Sequence, residues 1–480
     1  MGKYSVPEEI RKLKPRGTMV KAISGHYYVY EFKTVRDSEG KRHTKMGRAL
    51  GSIKAGVGFV PNNSFLHDAE ITTLEFGDYM VVVENTKKVL DFLREYLNPL
   101  DAVRIYLVAL IHYVQGYTYE KDIQAFFAMS ILSLMFPDVK LGYDVVSQLY
   151  DDLGRKQDNI LKIEEKLVEK CSREVAIDGH VMASCSQQND LAGIGSKFGR
   201  IGEPQVNLLM AYDVNTGKPL LSRFYDGAAP DKSTVKNLMN EVRFKDTLFV
   251  VDRGFYSESN LSLFSSSGNS YIIPLASSQR ACKKAVSEMN LRHSFAYMKS
   301  GSVVEYKDEI IDGRRVITYR DLKEAEAELY SYQKKIAEGH PSYTEKRISE
   351  LRDFLGVTVL QTNVTDKPAE EIYTLYKKRW SIETFFNYLK NKEKFKTLYQ
   401  QDYYKTQGLS FVMLVSALIH REFSEAVRNV KGKNVHDCLL EARMVKADKR
   451  HGKWVVSNCL KKQRELFQTL GTPLEVKAAT

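Results

Sequence analysis

The sequence predicts an α/β protein built on a mixed sheet. Three observations carry this. From residue 174 to 274 the order reads strand, strand, strand, helix, strand, helix, strand, the alternation of an α/β core. One of those strands, TLFVVD at Thr247–Asp252, is apolar from Leu248 to Val251, as in strands buried on both faces. A charged stretch at 276–355 then interrupts the pattern. It resumes with a strand (Val357–Gln361) and an amphipathic helix running from Pro368 to about Asn391.

The elements follow in order. Gly25–Phe32 reads as a strand, Arg36–Lys41 as a polar turn, and a second, basic strand runs towards Leu50, together a small basic β-module. Residues 85–170 are helical in pattern, with apolar residues at helical spacing through Val89–Leu93 and Ile105–Val114, broken at Asn98-Pro99. In the core, Glu174–Ala183, Gln205–Tyr212 and Pro219–Tyr225 read as strands, with Asn215-Thr216-Gly217 as a hairpin turn. Short strand-like runs at Val303–Tyr306 and Arg315–Thr318 and a charged helix at Leu322–Ala337 lie in the interruption. The organisation expected is a β-module at 1–80 and a helical, end-recognising region at 81–172. A catalytic core follows at 173–275 and 356–420, with an α+β, strand-rich insertion at 276–355 and a basic helical region at 421–480.

Composition sets the class. At 480 residues the chain exceeds one average domain, and 43% hydrophobic residues suffice for real cores. Lys plus Arg exceed Asp plus Glu by 71 to 60, giving net +11 and a mild preference for polyanionic partners. The five cysteines form no CxxC pair and are odd in number, which fits free thiols and offers no zinc spacing. MGKYSVPEEIRKLKPRG lacks the apolar core of a signal peptide. The apolar runs Ile105–Ile111 and Phe411–Ile419 are shorter than the roughly 20 residues a bilayer needs. A cytoplasmic protein without a membrane partner is expected.

Three carboxylates stand out. Asp178 interrupts the apolar strand VAIDGHVMA, where a charge is costly unless it is paired or binds a metal. Asp252 ends TLFVVD and precedes Arg253-Gly254; strand ends of α/β folds face ligand crevices, although such aspartates also serve as caps and turn formers. The third lies in YTLYKKRWSIETFFNYLKNK. At about 100° per residue, Tyr376, Arg379, Glu383 and Lys390 line one strip roughly 60° wide, beside a buried stripe of Leu375, Ile382, Phe386 and Leu389. A carboxylate flanked by Tyr, Arg and Lys suits a metal beside a bound phosphate, while Glu383 and Arg379, four apart, also make an ordinary helical ion pair. Three hard oxygen donors select Mg²⁺ or Mn²⁺. Two such ions would activate the attacking oxygen and stabilise the leaving oxygen of a phosphodiester.

The segment Tyr376-x2-Arg379-x3-Glu383-x6-Lys390 resembles the YREK signature of bacterial insertion-sequence DDE transposases. Trp380-Ser381-Ile382 before the glutamate is similar too. Asp252-Arg253-Gly254-Phe255 resembles the family's second-aspartate motif, and Asp178-Gly179 its first. The separation of 131 positions from Asp252 to Glu383 resembles that of the subgroup with a strand-rich insertion. The resemblance implies an RNase H-like core, with Asp178, Asp252 and Glu383 as metal-binding catalytic carboxylates. It implies DNA-backbone contacts at Tyr376, Arg379 and Lys390, with Arg253 beside the second aspartate a further candidate. It also implies cleavage at the ends of an element, then attack of the 3′-hydroxyl on target DNA. The expected partner is double-stranded DNA, as terminal inverted repeats and target, bound by a homodimer that is nucleoid-associated when on DNA. One departure is His180, where Thr or Ser is frequent two residues after the first aspartate.

Rival readings remain open. A non-catalytic DNA-binding protein derived from a transposase would keep the same residues. A tyrosine recombinase would need a His-x-x-Arg motif, and none is found. A plain RNase H-like nuclease leaves the insertion and the Tyr/Arg/Lys strip unexplained. The C-terminal basic residues, from Arg428 to Lys462, could bind DNA or cover a solvated face.

Overall fold

The computed structural model describes residues 6–23, 25–36, 41–54, 56–62, 71–186, 188–195, 202–229, 231–379 and 397–476. They fall in two compact units. The first comprises Met1–Leu74 with Asp448–Trp454, and the second Glu75–Ala447 with Val455–Thr480.

The first unit is built on a four-stranded antiparallel meander of β1 (Thr18–Ile23), β2 (His26–Arg36), β3 (Arg42–Lys54) and β4 (Gly58–Pro61). Val29 and Ile53 are its buried apolar positions. The two central strands are much longer than the outer two.

In the second unit a helical layer comes first: α1 (Gly77–Arg94), α2 (Pro99–Gln115), α3 (Glu120–Ala128), α4 (Tyr143–Arg155) and α5 (Asp158–Glu169). Asn98 caps α2 by accepting from the Asp101 amide, with Pro99 in the first turn, where a missing N–H costs nothing. The core strands follow: β5 (Glu174–Ser184), β6 (Pro204–Asp213), β7 (Pro219–Asp226), then α6 (Asp231–Glu241), β8 (Leu248–Val251), α7 (Glu258–Phe264) and β9 (Ser270–Pro274). β5 lies at the centre. β6 pairs with it antiparallel, and β7 with β6. On its other side β8 and then β9 run parallel to it. This is the mixed α/β architecture with an RNase H-like core that the sequence leads one to expect.

Residues 276–355 supply α8 (Arg280–Ser287), β10 (His293–Tyr297), β11 (Ser302–Ile311), β12 (Arg314–Asp321) and α9 (Leu322–Ala337). Their strands do not form a sheet of their own. β13 (Val357–Thr362) pairs antiparallel with both β9 and β12, so the order β10-β11-β12-β13-β9-β8-β5-β6 is continuous. Next come α10 (Ala369–Lys378), β14 (Thr397–Leu398), which pairs with the far end of β5, α11 (Tyr403–Val427) and α12 (Val435–Arg443).

The helix expected from Pro368 to Asn391 is described as Ala369–Lys378 with Arg379 as its C-cap, and the expected positions from 380 on lie outside the described residues. The expected helical character of 421–480 needs correction. Lys446–Arg450 and Lys453–Val456 are strands β15 and β16, followed by α13 (Lys461–Thr469). His451 and Gly452 between them both have positive φ, 49° and 77°, as a tight hairpin turn demands. The Lys and Arg density masked the turn's His-Gly pair in the sequence. None of the described helices is long and apolar enough to cross a membrane.

α11 is buried along most of its length and holds the layers together. Its Gly408 meets α4 backbone to backbone: a Cβ there would lie 2.0 Å from the Tyr150 carbonyl oxygen, and one on Gly154 1.8 Å from that of Tyr404. Gln407 covers the edge of β7, accepting from the Phe224 amide at 3.3 Å and donating to its carbonyl at 2.8 Å. That satisfies backbone groups an edge strand would leave open. Behind the sheet, Arg223 makes two 2.6 Å bonds to Glu164 and one of 2.9 Å to Glu241. Glu164 is fully buried, and burial outweighs Arg223 in pushing its carboxyl up.

Two outcomes follow. Arg223→Ala leaves Glu164 buried without its cation, and should cost about 3–5 kcal/mol in urea denaturation. The buried imidazole of His112 and the largely enclosed one of His420 are pushed down to about 3 and about 4, by desolvation and, for His420, by Arg421 as well. Below about pH 6.5 the unfolded chain takes up protons there that the folded chain refuses, so stability present above that pH is lost as pH falls towards 4. The urea midpoint should therefore drop between pH 7 and pH 5, and drop less in His112→Asn, whatever that variant's stability at pH 7.

Candidate active site at the ends of the central strands

Strand register delivers the first two carboxylates. The parallel pairing of β8 with β5 runs from Leu248↔Glu174 to Val251↔Ile177. The next residue on each strand is an aspartate, Asp252 and Asp178, and Asp252 continues in extended conformation. In-register residues of neighbouring parallel strands point to the same face about 4.8 Å apart. After Asp252 the chain curls into a short 3₁₀ turn, Arg253–Phe255. On that side, β14 takes up pairing with β5 at Ala183. A notch is thus left beside β5 where strand order changes direction, the usual ligand position of α/β sheets.

The inserted strands position the next two residues. Tyr373, on α10, packs against Tyr319 of β12 with ring centroids 4.9 Å apart, and against Phe295 and Tyr297 of β10. Its hydroxyl donates to Asp321 at 3.1 Å, while the Tyr319 hydroxyl donates to the Ala369 carbonyl at 2.7 Å. Asp321 also caps α9 through the Lys323 and Glu324 amides and accepts from Ser302. Burial resists its ionisation, but the hydrogen bonds from Ser302, Glu324 and Tyr373 prevail and hold its carboxyl below the usual range. This aromatic cluster clamps α10, which carries Tyr376 and is followed by Arg379 as its C-cap.

Arg379 reaches both aspartates. Its Nη1 lies 3.6 Å from Asp178 Oδ2 and its Nη2 4.0 Å from Asp252 Oδ1. The guanidinium carbon stands 5.6 Å from the centre of the Tyr376 ring, within cation–π range. The exposures differ in a useful way: 8% for the Arg379 side chain, 18% for Asp178 and 42% for Asp252. The cation is the most sunken of the three and Asp252 the most exposed. The Gly179 amide donates to Asp178 Oδ1 at 2.8 Å.

Of the residues singled out by sequence, Asp178, Asp252, Tyr376 and Arg379 come together, and Arg253 is exposed on the turn after Asp252. His180 is buried two positions along β5 from Asp178. Glu383 and Lys390, with Trp380, lie outside the described residues. Among the described residues no group of three or more His, Cys, Asp or Glu side chains converges. Sequence reasoning missed Asp321 and Tyr373. The available signals were an aspartate just before the helical run at Leu322 and a tyrosine on the apolar side of the Tyr376 helix. The C-terminal cations are partly structural: Arg443 bonds Asp78 at 2.8 Å and the Val114 carbonyl at 2.6 Å, and Lys433 pairs with Glu441.

The family model described as "Transposase DDE domain" matches residues 169–408. No curated protein shows significant sequence similarity to the chain. Among solved structures, a cryo-EM structure of the piggyBac transposase synaptic complex with hairpin DNA is similar at 10% identity, over 82% of this chain and 79% of that one, with a TM-score of 0.39. The family match spans half of the 480 residues, and the chain belongs to the DDE transposase family.

Proposed function

We propose that this transposase cuts DNA at the ends of a mobile element and joins the freed 3′ ends to target DNA. Asp178, Asp252 and Glu383 are the catalytic, metal-binding carboxylates of this reading. The observation that carries it is the register of β5 and β8, which sets two acidic side chains side by side at a strand-order switch with one sunken guanidinium between them. The two neighbouring carboxylates are a donor set of hard oxygens that fits Mg²⁺ or Mn²⁺, and Asp252 is the more exposed of the two. Glu383 would complete the set from beyond Arg379, and two ions are expected to share these oxygens. When bound, the ions supply Lewis-acid stabilisation of the attacking and leaving oxygens of an in-line phosphoryl displacement.

The protein's own groups do the remaining work. Arg379 holds the two aspartates together before metal arrives and, with Tyr376, Lys390 and the exposed Arg253, contacts phosphates near the cleaved end. Such contacts fix the scissile bond in register without reading sequence. The YREK spacing supports a bacterial insertion-sequence enzyme with cut-and-paste transposition, acting as a homodimer on inverted repeats in the cytoplasm. The second reading, a non-catalytic DNA-binding descendant, shares every residue described and differs only in turnover.

Cleavage of a duplex carrying the flanking repeats should require Mg²⁺ or Mn²⁺. Asp178→Ala, Asp252→Ala and Glu383→Ala should each lose at least about a thousandfold in rate while binding the ends as the wild type does. Near wild-type cutting by any one of them removes that residue from the set. Tight end binding without cuts by the wild type under either metal favours the non-catalytic reading.

Arg379→Gln separates the two duties of that residue. Calorimetry of DNA-free protein should show Mn²⁺ bound roughly tenfold more tightly or better, because a cation about 4 Å from each carboxylate is gone. The complex with cleaved ends should weaken most at low salt, and its affinity should fall less steeply with salt than the wild type's. Unchanged metal affinity would mean that Arg379 does not bear on the carboxylates.

A further inference from the structure

We infer that the β2–β3 ribbon of the first unit is an arm that binds double-stranded DNA, laying paired cations against backbone phosphates. The inference rests on the DNA-processing reading above and adds where the duplex is held.

The ribbon begins where the sheet ends. β1 pairs with β2 only as far as Glu31, and β4 pairs with β3 only from Gly51 to Lys54. Beyond these points β2 and β3 pair with each other alone, from Phe32↔Met46 to Arg36↔Arg42. Register shifts on either side of Tyr30 mark the root, and bulges there bend a strand pair and increase its twist. Every residue of Glu31–Arg36 and of Arg42–Arg48 is exposed. Six residues of strand reach about 20 Å.

The side chains on this arm are arranged against the folding energy of the ribbon. Lys33 stands opposite Lys45, and Arg36 opposite Arg42. Like charges directly across an antiparallel pair are destabilising, and the ribbon carries two such pairs. Phe32 opposite Met46 on one face of the ribbon, and Val35 on the other, leave 38%, 44% and 45% of three apolar side chains exposed. Charge on an unpaired strand edge does discourage aggregation, but that purpose needs neither like-charge pairing nor exposed phenylalanine. A polyanion relieves both features at once. The cations meet phosphates, and a two-stranded ribbon fits the major groove, which is about 12 Å wide, where apolar side chains touch thymine methyls.

The test uses the full chain and a fluorescent duplex carrying the element end, with a scrambled duplex beside it, in anisotropy titrations across a salt series. The fourfold variant Lys33→Gln/Arg36→Gln/Lys45→Gln/Arg42→Gln should bind both duplexes roughly tenfold or more weakly at 0.1 M salt. Its slope of log affinity against log salt should be shallower by about 3 to 4. The charge-keeping pair Lys33→Arg/Lys45→Arg should bind as the wild type does. Thermal melting should show the fourfold variant at least as stable as the wild type, because repulsion has been removed; a lower melting temperature would assign these residues a structural role and overturn the inference. Unchanged affinity and slope would also overturn it, and leave the edge-protection reading. The two readings fail separately. If the ribbon variant binds normally while metal-dependent cleavage still needs Asp178, the arm is wrong and the transposase site stands. If binding needs the ribbon but cleavage ignores Asp178 and Asp252, the reverse holds.

Discussion

Two carboxylates side by side on adjacent strands repel each other, and the second unit is arranged around holding them there. Parallel pairing of β5 with β8 fixes their spacing. One guanidinium, Arg379, lies within 3.6 and 4.0 Å of them and offsets the repulsion. That cation is nearly buried, whereas Asp252 keeps 42% of its side chain exposed. A fully enclosed pair would have the opposite character, as Glu164 with Arg223 illustrates: satisfied on its inner side and closed to any ligand.

The position of Arg379 depends on elements far away in sequence. α10 is clamped by Tyr373 against Tyr319, Phe295 and Tyr297, and tied through its hydroxyl to Asp321. Those partners all belong to the segment that interrupts the core. Its strands extend the central sheet and hold the helix that supplies the cation. On the other side, α11 seals the β7 edge with Gln407 and meets α4 at Gly154 and Gly408, where no side chain fits. The sheet is therefore fixed on both flanks, as geometry held to a fraction of an ångström demands.

The first unit has a different economy. Its small sheet buries little, and its two long central strands run out past their neighbours into solvent. Like charges are matched across that extension although isolated stability would favour the opposite. A fold that tolerates such a conflict locally usually does so for a partner.

The sequence by itself determined the alternation of strands and helices in the core, because burial on both faces of β8 leaves an apolar run ending in one charge, and it marked both aspartates and the Tyr376–Arg379 spacing. These are local signals, legible within a few residues. It also led to helices where β15 and β16 lie, since dense Lys and Arg obscured a turn set by positive φ at His451 and Gly452. Only the tertiary structure decided that Asp178 and Asp252, 74 positions apart, are neighbours in register. It alone decided that Asp321 and Tyr373 anchor the helix carrying Arg379, and that Arg443 serves the buried Asp78. Register, clamp and buried pair arise from contacts between distant segments, and a one-dimensional pattern carries no term for the energy of such contacts.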